Sequence, residues 1–171
     1  MLVGELIEMT RAEGDPAERK SAAVDLKELL EDLLDDLLIE ADEKGIHLVR
    51  DLQGPMVLQG DAELLRRAIE NVLRNAIRYS PAEEQVTVRL VREGDEALVV
   101  VRDLGPGVPE EMREKIFRPF FRVEDDRARR SGGVGLGLAI AQRAVHLHHG
   151  QISARNADLG LEVTIRVPLH G

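Results

Sequence analysis

Asn71, Asn75 and Arg78 follow one another at intervals of four and three residues in the run Asn-Val-Leu-Arg-Asn-Ala-Ile-Arg-Tyr. On a helix turning about 100° per residue these three side chains share one face, while Leu65, Ile69, Val72 and Ala76 occupy another. The polar face therefore addresses something other than a core. An amide oxygen is a hard, neutral donor of the kind Mg²⁺ accepts when phosphates and water complete its shell, and an arginine one turn on can grip the same phosphates. Taken alone, the segment reads more readily as the solvated side of an amphipathic helix.

Two further runs carry chemistry. In Asp103-Leu-Gly-Pro-Gly107 a carboxylate stands where a predicted strand runs out, with glycines that let the backbone approach a flat ligand. Such a carboxylate can accept a hydrogen bond from an exocyclic amino group such as that of adenine, a charge-assisted bond contributing about 1.5 to 3 kcal/mol. A tight turn explains the same five residues equally well. Gly132-Gly-Val-Gly135-Leu-Gly137 leads straight into a predicted helix, and backbone N–H groups at a helix start form a site for phosphate. No Lys-Ser or Lys-Thr follows, so this is not a P-loop; no strand precedes it closely, so it is not a dinucleotide fingerprint.

The elements that must position these residues follow from periodicity and punctuation. Residues 1–13 repeat apolar side chains at helical spacing and end at Gly14, Asp15 and Pro16, so 1–13 is expected to be the tail of a longer helix and 14–20 a linker. A domain is expected from residue 21 to 171. It opens with an extended stretch at 22–24, then a leucine-rich helix over 25–44, with Leu26, Leu29, Leu30, Leu33, Leu34, Leu37 and Leu38 on one broad face, capped by Gly45. That face is wider than a coiled-coil seam, which favours packing on the domain's own sheet. Strands are predicted over 46–52 and near Val57. Asp61 is placed to cap a helix running to Tyr79. A hairpin over 85–91 and 97–103 turns at Gly94, Pro109 opens a short helix to about Ile116, and residues 117–133 form a charged, mobile loop. A helix over 135–149 ended by Gly150, and strands over 151–156 and 161–169, complete the chain. The order does not alternate strictly, so an α+β two-layer sandwich fits better than a doubly wound sheet.

Composition sets the class. The chain has 171 residues, 43% hydrophobic and 32% charged, the balance of a globular domain. Aromatics are only 2%, so the core is aliphatic and Tyr79, the only tyrosine, becomes a candidate for a special role. A net charge of −9 without a basic stripe disfavours nucleic-acid binding. No cysteine occurs, no run of roughly 20 apolar residues is present, and no signal-peptide layout opens the chain. These features lead to an expected cytosolic location with no membrane contact in this stretch. His146, His148 and His149 occupy the last turn of a predicted helix, where histidine complements the dipole, so they are expected to be structural rather than a metal cluster.

Taken together, four ordered motifs resemble the catalytic domain of bacterial sensor histidine kinases, within the superfamily that also holds gyrase, chaperone and MutL-type ATPases. Asn71 to Tyr79 resembles the N box, Asp103-Leu-Gly-Pro-Gly-Val-Pro109 the first glycine box, Ile116-Phe-Arg-Pro-Phe-Phe-Arg122 the F box, and Gly133-Val-Gly-Leu-Gly-Leu-Ala139 the second glycine box. The wording is most similar to that of envelope-stress sensor kinases, and the likeness runs from about Ser21 to the C-terminus. It implies a mixed, mainly antiparallel sheet of about five strands with three helices on one face, and it makes residues 1–13 a remnant of a dimerisation helix. The cofactors implied are ATP and Mg²⁺, with Asn75 as metal ligand, Asn71 beside it, and Arg78 on phosphate. Tyr79 would lie along the nucleotide and Asp103 read adenine. Gly105, Gly107 and Val108 would admit the base; Gly133, Val134, Gly135, Leu136, Gly137 and Leu138 would form the phosphate lid; Thr164 would stand at the rim. Arg127, Arg129 or Arg130 would either touch phosphate or remain solvated.

Two departures stand out: Leu104 replaces a common asparagine, and Gly160-Leu-Glu-Val-Thr164 keeps only a degenerate third glycine motif. The partners implied are a dimerisation domain carrying the acceptor histidine and a downstream response regulator, with this stretch monomeric and the parent kinase homodimeric. None of the five histidines is followed by the acidic and apolar residues that mark the family's acceptor helix. A serine kinase of the anti-sigma-factor type would share the pocket, a gyrase-like hydrolase would need a glutamate in place of Asn71, and a scaffold would not bind nucleotide.

Overall fold

The computed structural model describes residues 21–119, 121 and 137–169. The expected helix and linker over 1–20, most of the charged loop, Arg127, Arg129 and Arg130, and Gly133, Val134, Gly135 and Leu136 lie outside the described residues.

Asp25 joins the first two elements. It ends strand β1 (Ala22–Asp25), and its Oδ1 accepts the N–H of Lys27 at 3.0 Å, capping helix α1 (Leu26–Lys44), and the N–H of Met56 at 3.1 Å. β1 pairs antiparallel with β3 (Val57–Gly60) as a separate ribbon. On α1 the residues Leu26, Leu30, Leu33, Leu34, Leu37 and Ala41 are buried, each leucine contributing about 1.5 to 3 kcal/mol. The helix thus packs on its own domain, as its face width implied. Leu38 departs from expectation: it is 39% exposed because it falls one step beyond the buried stripe. Gly45, at φ 77°, ends α1 by donating to Ala41 and Asp42.

β2 (His47–Leu52) runs parallel to β4 (Gln85–Glu93), and the connection between them carries β3 and helix α2 (Ala62–Tyr79). β4 and β5 (Glu96–Arg102) form the expected hairpin. Helix α3 (Gly137–Leu147) precedes β6 (Gln151–Asn156) and β7 (Leu161–Pro168), giving a mixed five-stranded sheet in the order β2-β4-β5-β7-β6. Val86, Val88 and Leu90 of β4, Ala97, Val99 and Val101 of β5, and Val163, Ile165 and Val167 of β7 alternate into the helical side of the core. This is the α+β sandwich that the element order implied. Among the described residues no helix is long and apolar enough to cross a membrane.

Two local expectations are corrected. The short helix from Pro109 is instead two 3-10 turns, Glu110–Met112 and Lys115–Phe117, since each run is too short to recover the cost of nucleating an α-helix. Residue 149, not Gly150, adopts the left-handed conformation after α3: His149 has φ 60°. His148 is structural, but for a reason other than the helix dipole. Its Nε2 accepts the N–H of Asp61 at 2.9 Å, so its Nδ1 carries the proton and donates to the carbonyl of Ala144 at 2.8 Å. The buried ring thereby ties the end of α3 to the start of α2.

Candidate nucleotide site

Helix α2 aligns the site. Asp61 starts it, its Oδ1 accepting the N–H groups of Glu63 at 3.0 Å and Leu64 at 3.2 Å. Leu64, Leu65, Ala68, Ile69, Val72, Leu73, Ala76 and Ile77 then bury one face, which leaves Asn71, Asn75, Arg78 and Tyr79 half-buried along its edge. Eight steps of about 1.5 Å separate Asn71 from Tyr79, roughly 12 Å along the axis.

Each end of this row meets a different partner. At the Asn71 end stands the first turn of α3: a Cβ on Gly137 would lie 3.3 Å from Asn71 Oδ1. Asn71 Nδ2 donates to the carbonyl of Arg67 at 2.9 Å, which fixes the amide and turns its oxygen away from its own helix. Leu138, the next residue of α3, is buried in the core and supports the turn rather than lining it. No partner among the described residues engages the Asn75 amide or the Arg78 guanidinium. Two neutral amide oxygens one turn apart suit Mg²⁺, which takes few protein ligands beside phosphate and water, so the residues present fit that ion.

At the Tyr79 end lies the loop after β5. Asp103 is 4% exposed, and its Oδ1 accepts the N–H groups of Gly105 at 2.9 Å and Leu161 at 3.1 Å. Among the described residues no hydrogen bond reaches Oδ2. Burial raises the pKa of the carboxyl, and the bonds from Gly105 and Leu161 and the charge of Arg102 only partly oppose this. The buried acceptor is thus rigidly held with one oxygen available. Gly105 is required by close approach, because a Cβ there would meet the carbonyl of Tyr79 at 2.4 Å. Ser80 supports the same junction, its Oγ accepting the N–H of Leu104 at 3.4 Å.

The structure brings together Asn71, Asn75, Arg78, Tyr79, Asp103, Gly105 and Gly137. Thr164 is not among them. It alternates with Val163 and Ile165 of the core, so its side chain lies on the sheet face away from the helices, opposite Val100. The residue of this segment that reaches the site is Leu161, through its backbone, and beside it Gly160. There φ is 84° and a Cβ would lie 1.9 Å from the carbonyl of Asp103.

Sequence reasoning also missed Lys44. Its Nζ donates to the carbonyl of Ile77 at 2.6 Å and to that of Arg78, closing the end of α2 from another helix. Burial, and then the charge of Arg78, lower its pKa. A basic residue in the last turn of α1 signals compensation of that helix's own dipole, and nothing in the sequence directs it to a neighbour.

Comparison with known proteins places the chain in a family. Residues 60–171 match the family of histidine kinase-, DNA gyrase B- and HSP90-like ATPases. The sensor histidine kinase CpxA of Escherichia coli K12 is 37% identical over 171 residues, 99% of this chain, and the chain spans 37% of the length of that relative. A mycobacterial sensor histidine kinase, MprB, superposes with a TM-score of 0.77 at 31% identity, covering 87% of this chain and 97% of that one. Full-length ShkA, solved in complex with AMPPNP, superposes with a TM-score of 0.82 at 27% identity over 98% of this chain and 35% of that one. The chain therefore belongs to the histidine kinase-, DNA gyrase B- and HSP90-like ATPase family, as an ATP-binding catalytic domain of the sensor histidine kinase type.

Proposed function

We propose that the chain binds MgATP along α2 and presents its γ-phosphate to a histidine on a separate dimerisation domain, which passes the phosphoryl group to a response regulator. The observation that carries this reading is the polarity of the row: a buried carboxylate acceptor at the Tyr79 end, and the Asn71 amide oxygen facing a helix start at the other. Adenine would give its exocyclic N–H to Asp103 Oδ2, with Tyr79 beside the sugar or base. The phosphates would extend toward Asn75 and Asn71, within reach of Arg78 and of the N–H groups at the start of α3.

Asn75 and Asn71 would hold Mg²⁺, which when bound neutralises phosphate charge and fixes the oxygens it touches. The protein's part in transfer is to align the terminal phosphorus for in-line attack by an imidazole and to exclude water. A neutral imidazole already offers a lone pair, so no base from this chain is needed. Asn71, an amide, cannot accept a proton from water as a carboxylate would, which favours transfer over hydrolysis.

The acceptor imidazole would come from elsewhere, because His148 is spent on the Asp61 N–H and none of the five histidines is followed by the residues that mark the acceptor helix. Incubation with labelled ATP is expected to leave this chain unlabelled. Addition of the dimerisation domain of its parent kinase should yield acid-labile label on that domain, at a rate rising with its concentration. Stable label on this chain alone would overturn the proposal.

A further inference from the structure

We infer that Asn156 is the positioning residue of the nucleobase subsite, acting through the loop that follows Asp103. The inference rests on the nucleotide reading above and adds a residue to it. Asn156 is the last residue of β6, and its side-chain amide pairs with the backbone of Val108 twice. Oδ1 accepts the Val108 N–H at 2.9 Å, and Nδ2 donates to the Val108 carbonyl at 2.6 Å. A single side chain thus imitates a strand partner for a loop that has none.

The placement of this clamp links it to the base. Residues 104–109 belong to no helix or strand, Pro106 and Pro109 are exposed, and the half-buried Val108 is the residue of the loop that packs against the core, so the bonds to its backbone fix the loop at its one apolar anchor. Its near end is held by the Gly105 bond to Asp103 Oδ1, and its far end by Asn156. Gly107 between them has φ 74°, and a Cβ there would lie 2.7 Å from Asn156 Oδ1, so the amide and the glycine fit one another closely.

The turn that carries Asn156 is anchored to the same carboxylate. Ala157 donates to Gly160 at 3.1 Å, and Leu161 donates to Asp103 Oδ1. Asp103, its loop and the β6–β7 turn therefore form one closed unit, with Asn156 as its outer bond. A base entering beside Asp103 meets a loop already in place, and the ordering cost that would weaken binding has been met beforehand. Released, the loop would occupy the competent position only part of the time, and apparent affinity would fall to that fraction of its value.

The role is distinguishable from mere structural support because the bonds are exposed and the core does not depend on them. Titration calorimetry of Asn156→Ala in the full chain should show ADP and adenosine weakened alike, by about 5- to 30-fold. Magnesium tripolyphosphate should bind as in the unaltered chain. Preference for ADP over GDP should shrink, since a loose loop lets the base shift from Asp103, and Val108 N–H should exchange faster with solvent. The melting temperature without ligand should move by no more than a few degrees. Asn156→Asp, which keeps the acceptor and loses the donor, should fall between the two. Unchanged affinity for ADP and adenosine in Asn156→Ala would overturn the inference, as would equal losses for all three ligands accompanied by a collapse in melting temperature. If the unaltered chain failed to bind ADP, the nucleotide reading itself would fall, and this inference with it.

Discussion

Asp103 is held in a state that suits a ligand more than it suits the fold. Removed from water, its carboxyl has a pKa raised by burial, with two backbone N–H groups on one oxygen offsetting only part of that cost. A group whose folded pKa is raised stabilises the fold fully only below its unfolded value, and that contribution is lost as pH rises through the folded value. Wherever it is ionised the side chain therefore stabilises the fold less than its protonated form does, consistent with a role in binding. Asp103→Asn keeps an oxygen for Gly105 and Leu161 while removing the charge. It is expected to melt at or above the temperature of the unaltered chain at pH 7, with the difference vanishing toward the acid end, yet to bind ADP at least tenfold more weakly. Calorimetric melting across pH checks the first outcome and titration the second; a variant that lost both stability and binding at pH 7 would show the residue to be structural. The Asp-x-Gly-x-Gly run made this residue legible in the sequence. Its bond to Leu161, 58 positions away, was not, because no local pattern encodes a backbone N–H arriving from another strand.

Among the elements, α2 was the most legible: Asp61 as cap, the apolar stripe and the polar row of Asn71, Asn75 and Arg78 all follow from helical periodicity and all stand in the structure. The elements around it were less so. The sequence shows β2 and β3 as neighbours in the chain, whereas β2 joins the sheet in parallel with β4 and β3 leaves to pair with β1, a choice made by tertiary packing. Thr164 was assigned to the rim from a motif's position, and the strand's period of two carried it to the other face. The same strand's entry holds the residue that matters more. At Gly160 a methyl group would intrude on the backbone of Asp103 and occupy a left-handed conformation. Gly160→Ala is expected to destabilise the domain by roughly 2 to 4 kcal/mol. A urea midpoint close to that of the unaltered chain would show that the turn relaxes freely, contrary to the tight packing described.

At the scale of the whole molecule, a mixed sheet and three described helices place a buried carboxylate beside the C-terminal end of α2 and a row of amides along that helix, with Asn71 roughly 12 Å along the axis from Tyr79. Under the proposed reading a nucleotide would lie with its base toward Asp103 and its phosphates toward Gly137. Composition disfavoured a nucleic-acid binder, and the four motifs implied the family that comparison bore out. The lid stays an expectation, as Gly133 to Leu136 lie outside the described residues. The central claim is that this row of side chains is an MgATP site, and titration calorimetry with a non-hydrolysable ATP analogue, with and without Mg²⁺, on the unaltered chain and on Asn75→Ala tests it most directly. The account predicts saturable one-to-one binding that Mg²⁺ tightens in the unaltered chain and leaves nearly unchanged in Asn75→Ala, with adenosine affinity equal in both. Absence of saturable binding, or an equal gain from Mg²⁺ in both proteins, would contradict it.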